Sequence, residues 1–359
     1  MKQPVLGIVA TLGVMAISLA FIALFSFATF SGWVAYLLMC VIPMQIVIGV
    51  TWGADLPGFA AAPSQPVRGL LLTMLSLAAG AIVAVAALAL FGARVTPPAP
   101  ILVHWIIVSI PVMFCGAVMW GGWPFTAVIK NKFAAGLTML VVCYAANALL
   151  FRFLFNYEFM RGAPVYVAAL DPHGLFNGWS ALVFYVTALA GMFLMIGFDL
   201  WPLTTVPALM TQPVLGLVWT LCTFGFAAAA MYVGIGVRHM DVVRFLVRVP
   251  VPLIFGAIVV LNMLQNSLFA SFAQPAKGVL NAAAIVVVGT VLSMACALTA
   301  PTVTGHLAAG PPAYDFEIWL ASALLSVTFP FLIFFAEFFK YWPLATSQTP
   351  VEAQAPTAR

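Results

Sequence analysis

Ten stretches of this chain run for about 20 residues with almost no charge, and short polar clusters separate them. They lie near residues 4–28, 33–51, 66–92, 101–122, 133–154, 178–200, 213–237, 249–272, 275–299 and 316–341. The stretches are continuously apolar and do not alternate, so they predict membrane-spanning helices and not the strands of a barrel. An even number of spans puts both termini on one side of the membrane.

Five of the spans open on variants of one phrase. It reads Gln3-Pro4-Val5-Leu6-Gly7, Gln65-Pro66-Val67-Arg68-Gly69, Lys132-Phe133-Ala134-Ala135-Gly136, Gln212-Pro213-Val214-Leu215-Gly216 and Gln274-Pro275-Ala276-Lys277-Gly278. The copies start 62, 67, 80 and 62 residues apart. A polar residue followed by proline at the first helical position is a helix-start signal. The expected fold is therefore all-α: a polytopic membrane protein of about ten transmembrane helices arranged as five parallel two-helix repeats. A single transmembrane domain covers 1–343, with repeats at about 1–63, 64–130, 131–210, 211–272 and 273–343, and 344–359 is expected as a disordered C-terminal tail. Repeats of two helices point the same way, unlike the inverted repeats of many ion-coupled carriers. The first span could pass for a secretory signal after Met1-Lys2, but its length and its Gln-Pro-x-x-Gly opening make it part of the fold.

The even-numbered spans share further marks. Trp33 and Trp52, Trp105 and Trp123, Trp179 and Trp201, and Trp319 and Trp342 bracket four of them, and the eighth span lacks both. Tryptophans there are expected as interfacial anchors. Pro43, Pro111 and Pro330 fall inside even spans. Each removes a backbone donor and bends its helix, and Thr328 is placed to satisfy a group freed near Pro330. Bends at corresponding depths suggest that the even helices bow around a common feature, either a cavity or the packing of the odd helices.

Composition agrees with a bilayer environment. Hydrophobic residues make up 65% of the chain and charged residues 6%, against roughly a quarter charged in a soluble domain. All five lysines (Lys2, Lys130, Lys132, Lys277 and Lys340) fall on the face that carries the termini. That asymmetry predicts cytoplasmic termini, in a bacterial inner membrane. Cys40, Cys115, Cys143, Cys222 and Cys296 lie within spans without CxxC spacing, as small apolar residues would.

Two constellations carry candidate chemistry. On the face opposite the termini, His104, Asp171, His173 and His306 stand near the entries of even spans, with Asp315 and Glu317 as second choices. Imidazole with carboxylate suits Cu, Zn or Fe, although histidine at a membrane interface is also ordinary. In the eighth span, Asn262, Gln265 and Asn266 are spaced to share one helix face, and Asn147 and Gln45 could join them from neighbours. Such a patch suits a small uncharged or zwitterionic solute, or else interhelical hydrogen bonds. No span has an acid at its centre, and no Walker loop, dinucleotide fingerprint or hydrolase elbow occurs. The expected partners are the lipid bilayer and a small solute, with no nucleic acid. The reading that results is a permease or channel-like transporter. The alternatives are a membrane subunit or small enzyme with a metal or redox site, and a membrane scaffold.

Overall fold

The structure of the protein is a computed structural model that describes residues 1–345. The expected tail 344–359 lies outside these residues beyond its first two positions. Ten helices are long and apolar enough to cross a membrane. They are α1 (Val5–Ile22), α2 (Phe27–Thr51), α3 (Val67–Leu90), α4 (Pro100–Met119), α5 (Lys132–Leu154), α6 (Gly178–Gly197), α7 (Val214–Val237), α8 (Val242–Met263), α9 (Ala276–Val303) and α10 (Asp315–Phe338).

Among the boundaries that differ from the hydropathy pattern, two do so for clear local reasons. Helix α1 stops at Ile22, and Ser26 caps the start of α2 by accepting from the Thr29 N–H at 3.3 Å. Helix α8 begins about two turns earlier than its apolar run. Asp241 accepts from the N–H groups of Val243 and Arg244 (2.9 and 3.1 Å), and Arg244 and Arg248 are carried into the first turns. The helix then bends at Val249 (φ −120°, ψ −77°), because Pro250 and Pro252 remove two donors and displace the preceding residue from helical geometry.

The even helices contact one another in a closed cycle: α2 on α4, α4 on α6, α6 on α8, α8 on α10, and α10 on α2. Each odd helix lies outside this cycle in the groove between two even helices. Helix α1 sits on α10 and α8, α3 on α2 and α10, α5 on α4 and α2, α7 on α6 and α4, and α9 on α8 and α6. The most apolar window of each even helix is 67–72% buried, and that of each odd helix only 22–44%. The odd helices therefore present the broad lipid-facing surface, and the even helices make the core.

All five even helices end in the same manner. Two successive residues turn left-handed: Gly53-Ala54, Gly121-Gly122, Asp199-Leu200, Gln265-Asn266 and Lys340-Tyr341. In α2, α4, α8 and α10 the final turn is widened to π-helical spacing. This ending changes the place of the expected amide face, because Gln265 (φ 53°) and Asn266 (φ 51°) belong to the turn and not to the helix.

The glycine of each opening phrase abuts the residue that closes an even helix. A methyl group at Gly216 would lie 2.5 Å from the Trp120 ring, and one at Gly69 would lie 2.6 Å from the Phe339 ring. Gly7, Gly136 and Gly278 meet Met263 and Leu264, Trp52, and Phe198 in the same way. The glutamine supplies the polar half of the joint. Its side-chain oxygen accepts from the glycine N–H in all four Gln-Pro copies, at 3.0–3.2 Å. Its amide nitrogen donates to Met263 O from Gln3, to Phe338 O from Gln65, and to Met119 O from Gln212. Gln274 reaches the Asp199 carboxylate instead (2.9 Å). Lys132-Phe133 is the exception in sequence and in structure. There Asn131 caps the helix, Phe133 stacks on Trp52 at 4.8 Å, and the Trp52 indole donates to Lys132 O at 3.1 Å.

Several tryptophans expected as anchors are core residues. Trp52 and Trp319 are fully buried, and Trp105 nearly so. Trp123 and Trp342 are the exposed ones. The cost of burying an indole N–H is offset where a partner exists, as Trp319 shows by donating to the Thr304 hydroxyl at 2.7 Å.

Candidate functional site

The cycle of even helices encloses a cavity of about 90 Å³ on its axis. All five even helices line it, through Met39 and Ile42, Ile110, Val186, Ile254, and Leu325 and Ser326 among others. These residues stand near the middle of their helices. Proline bends belong to the same region: Pro111 lines the cavity, Pro43 follows Ile42, and Pro330 follows the lining residue Phe329. Thr328 serves the widened turn above Pro330 by donating to Ala323 O at 2.7 Å. The walls are aliphatic and aromatic except for Ser322 and Ser326, so the space suits an uncharged, weakly hydrated solute.

Aromatic rings crowd one end of the cavity. Phe114 meets Phe193 edge-on at 5.3 Å and Phe329 at 6.4 Å. A little further along α2, the buried Gln45 donates to Pro330 O at 3.1 Å and ties α2 to α10. Its side-chain oxygen has no partner among the described residues.

The amides expected to bind solute fall outside this cavity. Asn262 donates to Glu337 Oε1 at 2.7 Å, which joins the ends of α8 and α10. Gln265 is exposed, and Asn266 accepts from Asn281 of α9 at 2.9 Å. Asn147 is fully buried and donates to Trp105 O at 2.9 Å, near the opposite membrane face. The first three share the face that carries the termini, and Asn147 is not with them. Asn281, which sequence reading passed over, also donates to Gly197 O at 2.9 Å and is the central amide of that group.

On the opposite face, two of the four metal-ligand candidates meet one tyrosine, and His173 joins them through Asp171. His104 Nδ1 lies 2.9 Å from the Tyr157 hydroxyl, and the Tyr157 N–H donates to Asp171 at 3.1 Å. Burial, and then the charge of Asp171, hold the Tyr157 phenol well above its ordinary range, so the hydroxyl stays protonated beside the imidazole. Asp171 also accepts from the His173 N–H (2.9 Å) and the Tyr166 hydroxyl (3.0 Å). The His173 ring stands 3.4 Å from Glu158 and 3.7 Å from Asp171. These bonds organise the loop 155–177, whose ends pair as short parallel strands β1 (Phe155–Asn156) and β2 (Phe176–Asn177). His306 is exposed in another loop and shares no hydrogen bond or ion pair with the other three. Asp315 and Glu317 open α10, where Glu317 accepts from the Gly310 N–H through both oxygens (3.1 and 3.0 Å). Among the described residues, no three His, Cys, Asp or Glu side chains gather as a metal-holding group.

The spans establish a multi-pass membrane protein in contact with lipid. No protein-family model, curated protein or solved structure matches the chain.

Proposed function

We propose that this protein is a permease or channel-like transporter of a small uncharged solute, with its path along the axis of the even helices. The observation that carries the reading is the axial cavity to which all five even helices contribute. Five parallel two-helix repeats would produce such a closed cycle, and the four Gln-Pro joints, with the Trp52 joint as the fifth, favour that arrangement. The Phe114 cluster would close the path, and Ser322 and Ser326 would be the polar contacts of a passing solute. A bacterial inner membrane with cytoplasmic termini accords with the placement of the lysines.

Reconstitution tests the reading. Purified protein in phosphatidylcholine vesicles is subjected to stopped-flow light scattering with urea, glycerol and formamide gradients. Protein-dependent entry of one or more of these solutes is expected, changed by substitutions at Ser326 or Phe114. Vesicles that behave like protein-free ones for all three solutes, with wild-type and Phe114→Ala protein alike, would overturn it.

A further inference from the structure

A second cavity, of about 370 Å³, opens on the face opposite the termini, between α3, α4, α5 and the loop 155–177. Its walls include Leu90 and Phe91 at the end of α3, Trp105 of α4, and Phe151 and Arg152 at the end of α5, with Pro172 in the roof. The polar groups here are unevenly used. Asp171 also lines the space, but its carboxylate already takes the N–H groups of Tyr157 and His173 and the Tyr166 hydroxyl. Arg152 donates one N–H to Pro172 O, which fastens the roof, and has no ion-pair partner among the described residues. Trp105 is only 4% exposed, and its indole N–H has no partner among the described residues. An unused buried donor and an unpaired guanidinium on one cavity are an arrangement for accepting oxygen atoms that bear negative charge.

The sequence accounts for a cavity at this place. Eleven residues beyond the glycine of each opening phrase stand Ser18, Gly80, Asn147, Ala227 and Gly289, all buried. Gly80 and Gly289 let the helix backbones touch: a methyl at Gly80 would come within 2.9 Å of Val41 Cα, and one at Gly289 would run into Pro252 O. Only α5 carries a large polar residue there, and Asn147 spends its amide on Trp105 O. Among the described residues, Asn147 Oδ1 and the Tyr144 hydroxyl, one turn earlier, also lack hydrogen-bond partners. A carboxamide at a close-contact position keeps α4 and α5 from meeting as the glycine-bearing pairs do.

We propose that this cavity binds a small amphipathic anion, a carboxylate or phosphate on an apolar body. Arg152 supplies the charge and Trp105 an N–H to the oxygens, while Phe91 and Phe151 enclose the apolar part. The Phe91 and Trp105 rings are already stacked at 4.6 Å, which gives one flat wall. The proposal is independent of the axial path.

Calorimetric titration of the full chain in phosphatidylcholine nanodiscs tests it, with octanoate and octyl phosphate as probes and octanol as the uncharged control. Saturable binding of at least one anion is expected, at least about ten-fold tighter than that of octanol. Arg152→Gln and Trp105→Phe should each weaken it by about ten-fold, and Arg152→Lys should weaken it less than Arg152→Gln. Arg152 is exposed at the end of α5, so its substitution should leave the spans folded even if Trp105→Phe does not, and Arg152→Lys retains a donor for the roof. Adding phosphatidic acid to the discs separates the sources: competition identifies a lipid headgroup, and its absence identifies a free anion. Octanol binding as tightly as both anions, or anion binding unchanged by Arg152→Gln, would overturn the proposal.

Discussion

The side chain of Gln212 and the carbonyl of Met119 are 93 residues apart in sequence and are joined by a 3.0 Å hydrogen bond. Gln212 also accepts from the Gly216 N–H at 3.1 Å, so one carboxamide caps the start of α7 and fastens it to the end of α4. Both bonded groups are left over from helix termini, where the helix itself offers no partner. In a bilayer no other donor or acceptor is at hand, which gives the pairing its value.

Replacing that glutamine should therefore cost stability in proportion to what its amide reaches. Gln212→Leu and Gln65→Leu each orphan a main-chain carbonyl and a helix N–H, a loss of about 1–2 kcal/mol. Gln274→Leu should cost less, because its amide meets the exposed Asp199 carboxylate, which Lys277 also holds at 2.7 Å. Unfolding of the three variants in mixed micelles with increasing dodecyl sulfate should give that order. An equal loss for all three would contradict it.

Glycines in the same helix should answer oppositely to substitution. Gly216 lies against the Trp120 ring, and Gly225 has open space where a methyl would go. Gly216→Ala should destabilise by about 1–3 kcal/mol through overpacking. Gly225→Ala should be neutral, or stabilising by up to about 1 kcal/mol through helix propensity. The same dodecyl sulfate titration reads both, with Gly225→Ala as the internal control.

What the sequence made legible here was periodic and local. The helix starts at Gln-Pro and the ten apolar runs follow from one-dimensional signals, and they recur in the structure with end shifts of up to nine residues. The apolar run of the eighth span starts only after the charged Arg244 and Arg248, whereas Asp241 caps a helix that begins before them. The amide face of the eighth span dissolved for a different reason. Whether Gln265 and Asn266 continue a helix or turn left-handed depends on how the helix end meets its neighbours, and no spacing rule reports that. Trp52 likewise matches an interfacial anchor by position, but its indole is consumed by the Lys132 carbonyl, a partner visible only in three dimensions. The axial cavity is assembled from five segments far apart in the chain, and only the recurrent prolines hinted at it.

The loop 155–177 should depend on Asp171 more than on either histidine. Asp171 holds two main-chain N–H groups and the Tyr166 hydroxyl, while His173 is half exposed. Asp171→Ala should raise hydrogen exchange and protease cleavage within 157–173 and leave exchange in the spans unchanged. His173→Ala should do neither. Mass spectrometry of the exchanged protein distinguishes the two, and equal protection in both variants would show that the carboxylate is not the anchor.

Phe114 offers the most direct test of where a solute would pass. Its ring lies at the end of the axial cavity, packed edge-on against Phe193 and beside Phe329. If the cavity is part of a path, truncating this ring joins it to the space beyond, and entry of small uncharged solutes should rise several-fold. If the ring is only a core residue, the same truncation should leave flux at the protein-free level and cost about 3–5 kcal/mol of stability. Phe114→Leu keeps most of the apolar volume at a lower cost and should give an intermediate flux on the first view and none on the second. The stability loss is expected on both views, so unfolding data alone do not decide between them. The comparison that decides is stopped-flow entry rate in vesicles carrying matched amounts of folded wild-type, Phe114→Leu and Phe114→Ala protein. A rise that follows side-chain size places the barrier at Phe114, and a flat series removes the axis as the route.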